Sequence, residues 1–298
     1  MTTALERRLA EFVDRIDEIA TFCNILDTGD PPIMAVWGGG GVGKSSLLAR
    51  IVHESSIREL CKAEVVWTDT RNHDYLAIMR KMRDDIGAKY FNAFTDLVNY
   101  FTVPQYELTV KVEGAIKVAE NAIIEGSKTG DIAGVIIKDL MIPEPRKDMD
   151  IPEDEKLARL TDSFISNFAV ALQEVAAEKP LIVFFDAIEK MTDDTRNWVW
   201  GELLGAVRDN RLPNTRFVLC GREEPPEDLD RDLRLLIEEA ELNPLEHEHI
   251  VEYLEKRGIE EDSRDALAMM LLANTEGNPL QIANNVDAFL KLKKKKGR

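Results

Sequence analysis

Residues 33–46 read Ile-Met-Ala-Val-Trp-Gly-Gly-Gly-Gly-Val-Gly-Lys-Ser-Ser, and the order of residue types in that stretch decides the fold. Ile33 to Trp37 form a short apolar run that stops abruptly at four glycines, which predicts a buried strand entering a loop. A helix is expected from Gly43 to about Glu54. Gly38 to Ser45 match the phosphate-loop pattern G-x-x-x-x-G-K-[ST] in the strand, loop, helix setting that its mechanism requires. Glycines let the backbone curl so that successive N–H groups point into one concavity, and the following helix N-terminus adds its partial positive charge. Gly38, Gly39, Gly40, Gly41, Val42, Gly43 and Ser46 are the expected walls of that anion nest. Lys44 is expected on the β- and γ-phosphates, and the Ser45 hydroxyl on Mg²⁺, which keeps most of its water shell and needs few protein oxygens.

Working outward, strands and helices alternate, the pattern of a parallel sheet. Residues 63–68 (AEVVWT) read as a second strand, and His73 to about Ala88 carry helical spacing. Residues 181–186 (LIVFFD) and 216–221 (RFVLCG) read as further strands. Between these two lies a helix near 193–209, opened by Thr192 or Asp193 as a cap. Pro152-Glu153-Asp154 suits the first turn of a helix reaching about Ala177. Upstream of the loop, residues 4–27 read as one helix, since apolar residues recur at spacings of three and four.

Residues 98–151 resist assignment: a possible strand (ELTVKV), a small helix around 113–125, the apolar VIIKDLMI and a proline-punctuated loop through Pro143, Pro145 and Pro152. Residues 223–241 hold nine acids against two arginines, the composition of a solvated face or loop. Residues 246–292 read as three helices, with Asp262 or Ser263 capping the second and Gly277-Asn278-Pro279 opening the third. The expected domains are an N-terminal helix (1–30), a nucleotide-binding domain (31–235, with an insertion at about 98–151) and a small helical lid (236–298).

A phosphate loop needs an acidic partner at the end of a neighbouring buried strand. Five apolar residues before Asp186 place its carboxylate at the C-terminal end of a central strand, where open α/β sheets bind ligands. Asp186 and Ser45 are the expected metal-holding pair. Ala187 and Ile188 intervene before Glu189, which either turns back to polarise the attacking water or is an exposed acid at a helix start. Arg222, just past the strand 216–221, either touches the γ-phosphate or pairs at the surface with Glu223 and Glu224.

Charge and composition exclude several classes. With 38 basic and 55 acidic side chains the formal charge is −17, so the chain as a whole should repel nucleic acid. Its hydrophobic content of 44% supports a sizeable core. No apolar run reaches the roughly 18 residues needed to span a bilayer. Cys23, Cys61 and Cys220 lie far apart with no C-x-x-C pair, which suits a reducing cytoplasm and argues against a disulfide framework. His247 and His249, two apart on one helix, point in different directions and make a poor metal pair. Trp198 and Trp200 are expected to divide between core and surface, Lys293 to Lys296 to be a solvated tail, and Asp69 to be a turn residue.

With these residues in hand, the chain resembles the STAND ATPases, the signal-transducing P-loop switch family that includes the NACHT and NB-ARC groups. Phe12-Val13-Asp14-Arg15 through Ile19 is similar to the family's hydrophobic-Gly-Arg-x-x-Glu element, with Asp14 in place of glycine. LIVFFDAIEK looks like its Walker B segment, Arg222 like its sensor arginine, and Gly277-Asn278-Pro279-Leu280 like its G-x-P-L element. The resemblance implies an ASCE-type P-loop NTPase fold with a helical domain closing over ATP or ADP. It also implies adenine-side contacts from Val13 and Arg15, and Pro279 close to the nucleotide. The implied activity is slow Mg²⁺-dependent hydrolysis, with Lys44, Asp186, Glu189 and Arg222 as its machinery. Expected partners are sensor and effector domains or proteins, and a nucleotide-dependent homo-oligomer; a membrane is not expected. Two rivals share the loop: an AAA+ type motor or loader, and a nucleotide-binding scaffold without useful turnover.

Overall fold

A computed structural model of the chain describes residues 6, 9–58, 60–66, 75–102 and 153–296. The expectations for ELTVKV, the helix around 113–125, VIIKDLMI, the loop from Pro143 to Pro152 and Asp69 lie outside the described residues. The chain divides into two compact units, residues 1–91 with 168–298, and residues 92–167. In the second, the described elements are the helix Asn92–Thr102 and the first part of the helix Glu153–Glu178, where Phe94 and Phe164 meet edge to face at 6.2 Å.

The first unit is built on five parallel strands: β1 (Ile33–Trp37), β2 (Cys61–Val66), β3 (Leu181–Asp186), β4 (Thr215–Cys220) and β5 (Ile237–Glu241). Their order is β2-β3-β4-β1-β5, with Ile33 in register with Phe217 on one side and Ile237 on the other. The expected parallel α/β sheet flanked by helices and followed by a helical region is the observed fold. Strands β1, β3 and β4 are central and almost wholly buried, which explains why their sequences are continuous apolar runs. Alternation along them sends Met34, Val36, Ile182, Phe184, Val218 and Cys220 to one face. There they meet Phe22 and Ile25 of α1 (Ile16–Thr28) and Leu47, Leu48 and Ile51 of α2 (Lys44–Ile57). On the opposite face the Phe185 and Phe217 rings stack at 6.4 Å.

The fifth strand was not expected. Ile-Glu-Glu-Ala-Glu reads as a solvated acidic stretch because β5 is an edge strand, hydrogen-bonded to β1 alone, with Glu238, Glu239 and Glu241 exposed. Charges along an open edge are a common device against pairing with other chains. The sheet therefore runs to Glu241, past the boundary expected at 235/236.

Three further expectations are corrected. The single helix over 4–27 is broken, since Asp14 and Arg15 both take left-handed backbone angles, φ 63° and 68°, and the regular helix begins at Ile16. Trp198 and Trp200 are both buried, at 5% and 6% exposure. They sit in a π-helical turn (Trp198–Leu203) between Asp193–Asn197 and Leu204–Arg208. Trp198 meets Tyr75 and Phe168, while Trp200 shares a groove with Leu229 and Leu233 of the acidic segment. The helix Glu261–Thr275 starts ahead of Asp262 and Ser263, with Glu260 at its N-cap. Thr192, by contrast, is the cap of its helix, its hydroxyl accepting from the Thr195 N–H.

The C-terminal helices His247–Lys256, Glu261–Thr275 and Pro279–Lys296 enclose their own core of Leu245, Ile250, Leu254, Ala268, Leu271, Ile282 and Val286. We call this part the lid. The basic tail belongs to the last helix, where Lys293 pairs with Glu260. Among the described residues no helix is long and apolar enough to cross a membrane.

Candidate functional site

The loop 38–43 leaves the end of β1 and closes on α2. Positive φ at Gly38, Gly41 and Gly43 supplies the curl, and Gly43 caps α2 with the Ser46 and Leu47 N–H groups donating to its carbonyl. The Lys44 ammonium donates to the carbonyls of Gly38 (2.7 Å) and Gly39 (2.8 Å). Burial holds its pKa below the ordinary lysine value, with the nearby Glu189 carboxylate acting in the opposite direction.

Asp186, at the buried end of β3, accepts from the Ser45 hydroxyl at 2.9 Å and from the Ala187 N–H at 2.9 Å. Two strands, β1 by way of its loop and β3, thus bring together the two oxygens expected to hold a metal. Hard oxygen donors in small number suit Mg²⁺. Among the described residues no three His, Cys, Asp or Glu side chains converge. His247 and His249 go separate ways, to Asp265 and Asp14.

After Asp186 the chain reverses through Ala187, at φ 55°, into the single 3₁₀ turn Ile188–Lys190. That reversal carries Glu189 back toward the strand ends, where its Oε1 pairs with Arg222 Nε at 3.1 Å. Its Oε2 is buried without a hydrogen-bond partner. Arg222 remains 63% exposed. The structure thus joins two of the expected residues directly, with Glu189 as the partner of Arg222.

Each carbonyl from Gly38 to Val42 has a donor. Lys44 serves Gly38 and Gly39, the Asn278 amide nitrogen serves Gly40 (2.9 Å), the Leu280 N–H serves Gly41 (3.2 Å) and the Arg15 guanidinium serves Val42 (3.1 Å). Pro279 begins the last helix, its Cγ 4.0 Å from the position a Cβ on Gly43 would take. Arg15 is 6% exposed and also donates to the carbonyl of Asn243, between β5 and the lid, while Asp14 and Glu18 pair with it. Val13 packs against the lid core and Phe12 against the sheet core. The segment 12–15 therefore pins sheet, loop and lid together. Asp14 adopts the left-handed conformation that a glycine would take there, which aspartate tolerates better than most residues.

Sequence reasoning missed Asn278, Leu280 and Asn243 as loop or hinge partners. Asn before Pro at a helix start is a readable cap signal. Nothing local says that the other end of that amide reaches residue 40.

The backbone is similar to that of Cdc6p from Pyrobaculum aerophilum, with a TM-score of 0.53 and 13% identity over 96% of this chain and 65% of that one. Domain III of the Thermotoga maritima replication initiation protein DnaA gives a TM-score of 0.47 and 14% identity, covering 97% of this chain and 89% of that one. For AMPPCP-bound DnaA from Aquifex aeolicus the TM-score is 0.47 and the identity 14%, over 95% and 64% of the two chains. The chain thus spans just under two thirds of the Cdc6p chain, and at 13% identity the likeness to Cdc6p is one of fold. None of the curated proteins matches the sequence. Residues 11–219, which hold the phosphate loop, Asp186 and Glu189, match the AAA ATPase domain, and the chain belongs to that family.

Proposed function

We propose that the chain is an ATP- and ADP-binding switch of the STAND type, in which slow Mg²⁺-dependent hydrolysis sets the position of the lid. The observation that carries this reading is the seating of the lid helix Pro279–Lys296 on the phosphate loop through Asn278 and Leu280, which ties lid position to the state of the nest. Lys44 would leave the carbonyls of Gly38 and Gly39 to hold the β- and γ-phosphates. Ser45 and Asp186 would hold Mg²⁺, whose contribution is to neutralise charge on the phosphates. N–H groups of the loop from Gly39 to Ser46 would surround the phosphates, with Val13, Arg15 and Pro279 on the nucleoside side.

Glu189 has a place in hydrolysis if its bond to Arg222 opens. Arg222 would then turn to the γ-phosphate, freeing the carboxylate to accept a proton from the attacking water. The pair would thus link sensing to turnover. Cytoplasmic sensor and effector partners, assembly of copies on nucleotide exchange, and the division into N-terminal helix, nucleotide-binding domain and lid belong to the same proposal.

The test is to denature the purified protein and identify released nucleotide by chromatography, alongside Lys44→Ala. ADP present in the wild type and absent from the variant supports a retained-nucleotide switch. No nucleotide in either, with no ATP-induced rise in Tm, refutes the reading. Phosphate release abolished in Asp186→Asn and Glu189→Gln separates an ATPase from a scaffold. A motor or loader of AAA+ type shares the fold, and turnover stimulated by nucleic acid would favour it.

A further inference from the structure

The carbonyls of Gly40 and Gly41 differ from their neighbours in the loop, because both of their donors come from the lid. Asn278 uses the two ends of one planar amide. Its Oδ1 accepts from the N–H groups of Leu280 (3.1 Å) and Gln281 (3.2 Å), which caps the last helix, while its Nδ2 donates to Gly40. Asp, Ser and Thr are comparable caps. Asp has no donor, and the hydroxyls of Ser and Thr sit one bond closer to the backbone, short of Gly40.

The loop is shaped for this contact. Gly41 has φ +78°, and a Cβ there would lie 2.8 Å from Asn278 Oδ1 and 3.1 Å from Leu280 Cβ, whereas at Gly39 and Gly40 a Cβ would meet nothing within 4 Å. The glycine nearest the lid is thus the one of these three whose lack of a side chain is sterically required.

We propose that Asn278 is a positioning residue for the nucleotide site. Its amide holds the Gly40 carbonyl toward the lid, so that the loop's N–H groups stay turned to the phosphates and the lid stays over them. Loop shape and lid position then become one variable: swinging the lid away releases two loop carbonyls at once. The inference deepens the nucleotide-site reading above and rests on it.

The experiment compares Asn278→Ala, which loses cap and clamp, with Asn278→Ser, which keeps the cap alone. Three quantities are read on the full chain: Tm without nucleotide, hydrogen exchange of residues 38–44 without nucleotide, and the release rate of a fluorescent ADP chased by excess ADP. The expected result is that serine recovers most of the Tm lost by alanine. Both variants release ADP about threefold to tenfold faster than wild type, the range that one net hydrogen bond supplies. Loop exchange is faster in both. Serine restoring release rate and loop exchange along with Tm would reduce Asn278 to a helix cap and overturn the proposal. A wild type that binds no ADP would instead refute the nucleotide reading, and the exchange comparison alone would then decide whether Asn278 positions the loop.

Discussion

Replacing glycine by alanine at Gly40, Gly258 and Gly277 adds the same methyl group in three different settings. At Gly40 a Cβ meets nothing within 4 Å and φ is not positive. Alanine there should be neutral or stabilising by up to about 1 kcal/mol, since it restricts the unfolded chain. Gly258 has φ +72° but open space around it, so only left-handed strain applies, about 1–2 kcal/mol. Gly277 combines φ +76° with a Cβ position 2.2 Å from the carbonyl oxygen of Leu245, a backbone atom that cannot rotate aside. The same carbonyl region is fixed by the bond from Leu245 N–H to Gly277 O. Adding about 1–3 kcal/mol for overpacking brings the expected loss at Gly277 to about 2–5 kcal/mol. Urea denaturation of the nucleotide-free protein, followed by far-UV circular dichroism, measures all three. The order should be Gly277→Ala worst, Gly258→Ala intermediate and Gly40→Ala nearest wild type. Equal losses at Gly277 and Gly258 would show that the approach to Leu245 is not sterically closed, and would undo the account of how the turn before the last helix is built.

Arg15→Ala should cost about 3 kcal/mol in the same assay, the low end of the range for breaking a buried pair, because it strands two carbonyls and two partly exposed carboxylates. Recovery of wild-type stability by Arg15→Lys would count against the forked geometry. Burial keeps the Lys44 pKa below 10.5, so ATP affinity should fall as pH approaches that value from below. In the same window the unfolded chain binds more protons than the folded one at this position, so Lys44 makes the nucleotide-free protein more stable as pH rises, the opposite sign. A titration of affinity in Lys44→Ala should be flat over that window. Burial also pushes the Cys220 thiol up, and peptide mapping after iodoacetamide at pH 8 should find it unmodified in the folded protein, with alkylation appearing only in denaturant.

What could be read from the sequence was what is locally determined. The strand Ile33–Trp37, the glycine loop and the helix after it are specified within 25 residues, and LIVFFD carries its own burial and its own carboxylate. The helix opened by Asn278-Pro279 was legible for the same reason. What escaped depends on distant partners. Phe12, Val13 and Ile16 keep helical spacing, yet Asp14 and Arg15 turn left-handed where Arg15 meets Val42 and Asn243. Strand β5 carries the composition of a loop because only β1 beside it makes it a strand. Trp200 is 6% exposed and borders the same groove as Leu229 and Leu233, more than twenty residues further on. The ion pair between Glu189 and Arg222 joins the ends of two strands, and no spacing rule within either reveals it.

The phosphate loop is made early in the chain, but the groups that donate to the carbonyls on its outward face arrive late. Residues 38–46 leave the ribosome long before Asn278 and Leu280, some 240 positions downstream. Domains generally fold as units during synthesis, the N-terminal ones first, and sheet and lid belong to one compact unit here. On this geometry a nascent chain holding all five strands would still have the Gly40 and Gly41 carbonyls turned to water and the loop unbraced. If the site holds a nucleotide as proposed, its tightest grip would be reached only in the last stage of synthesis.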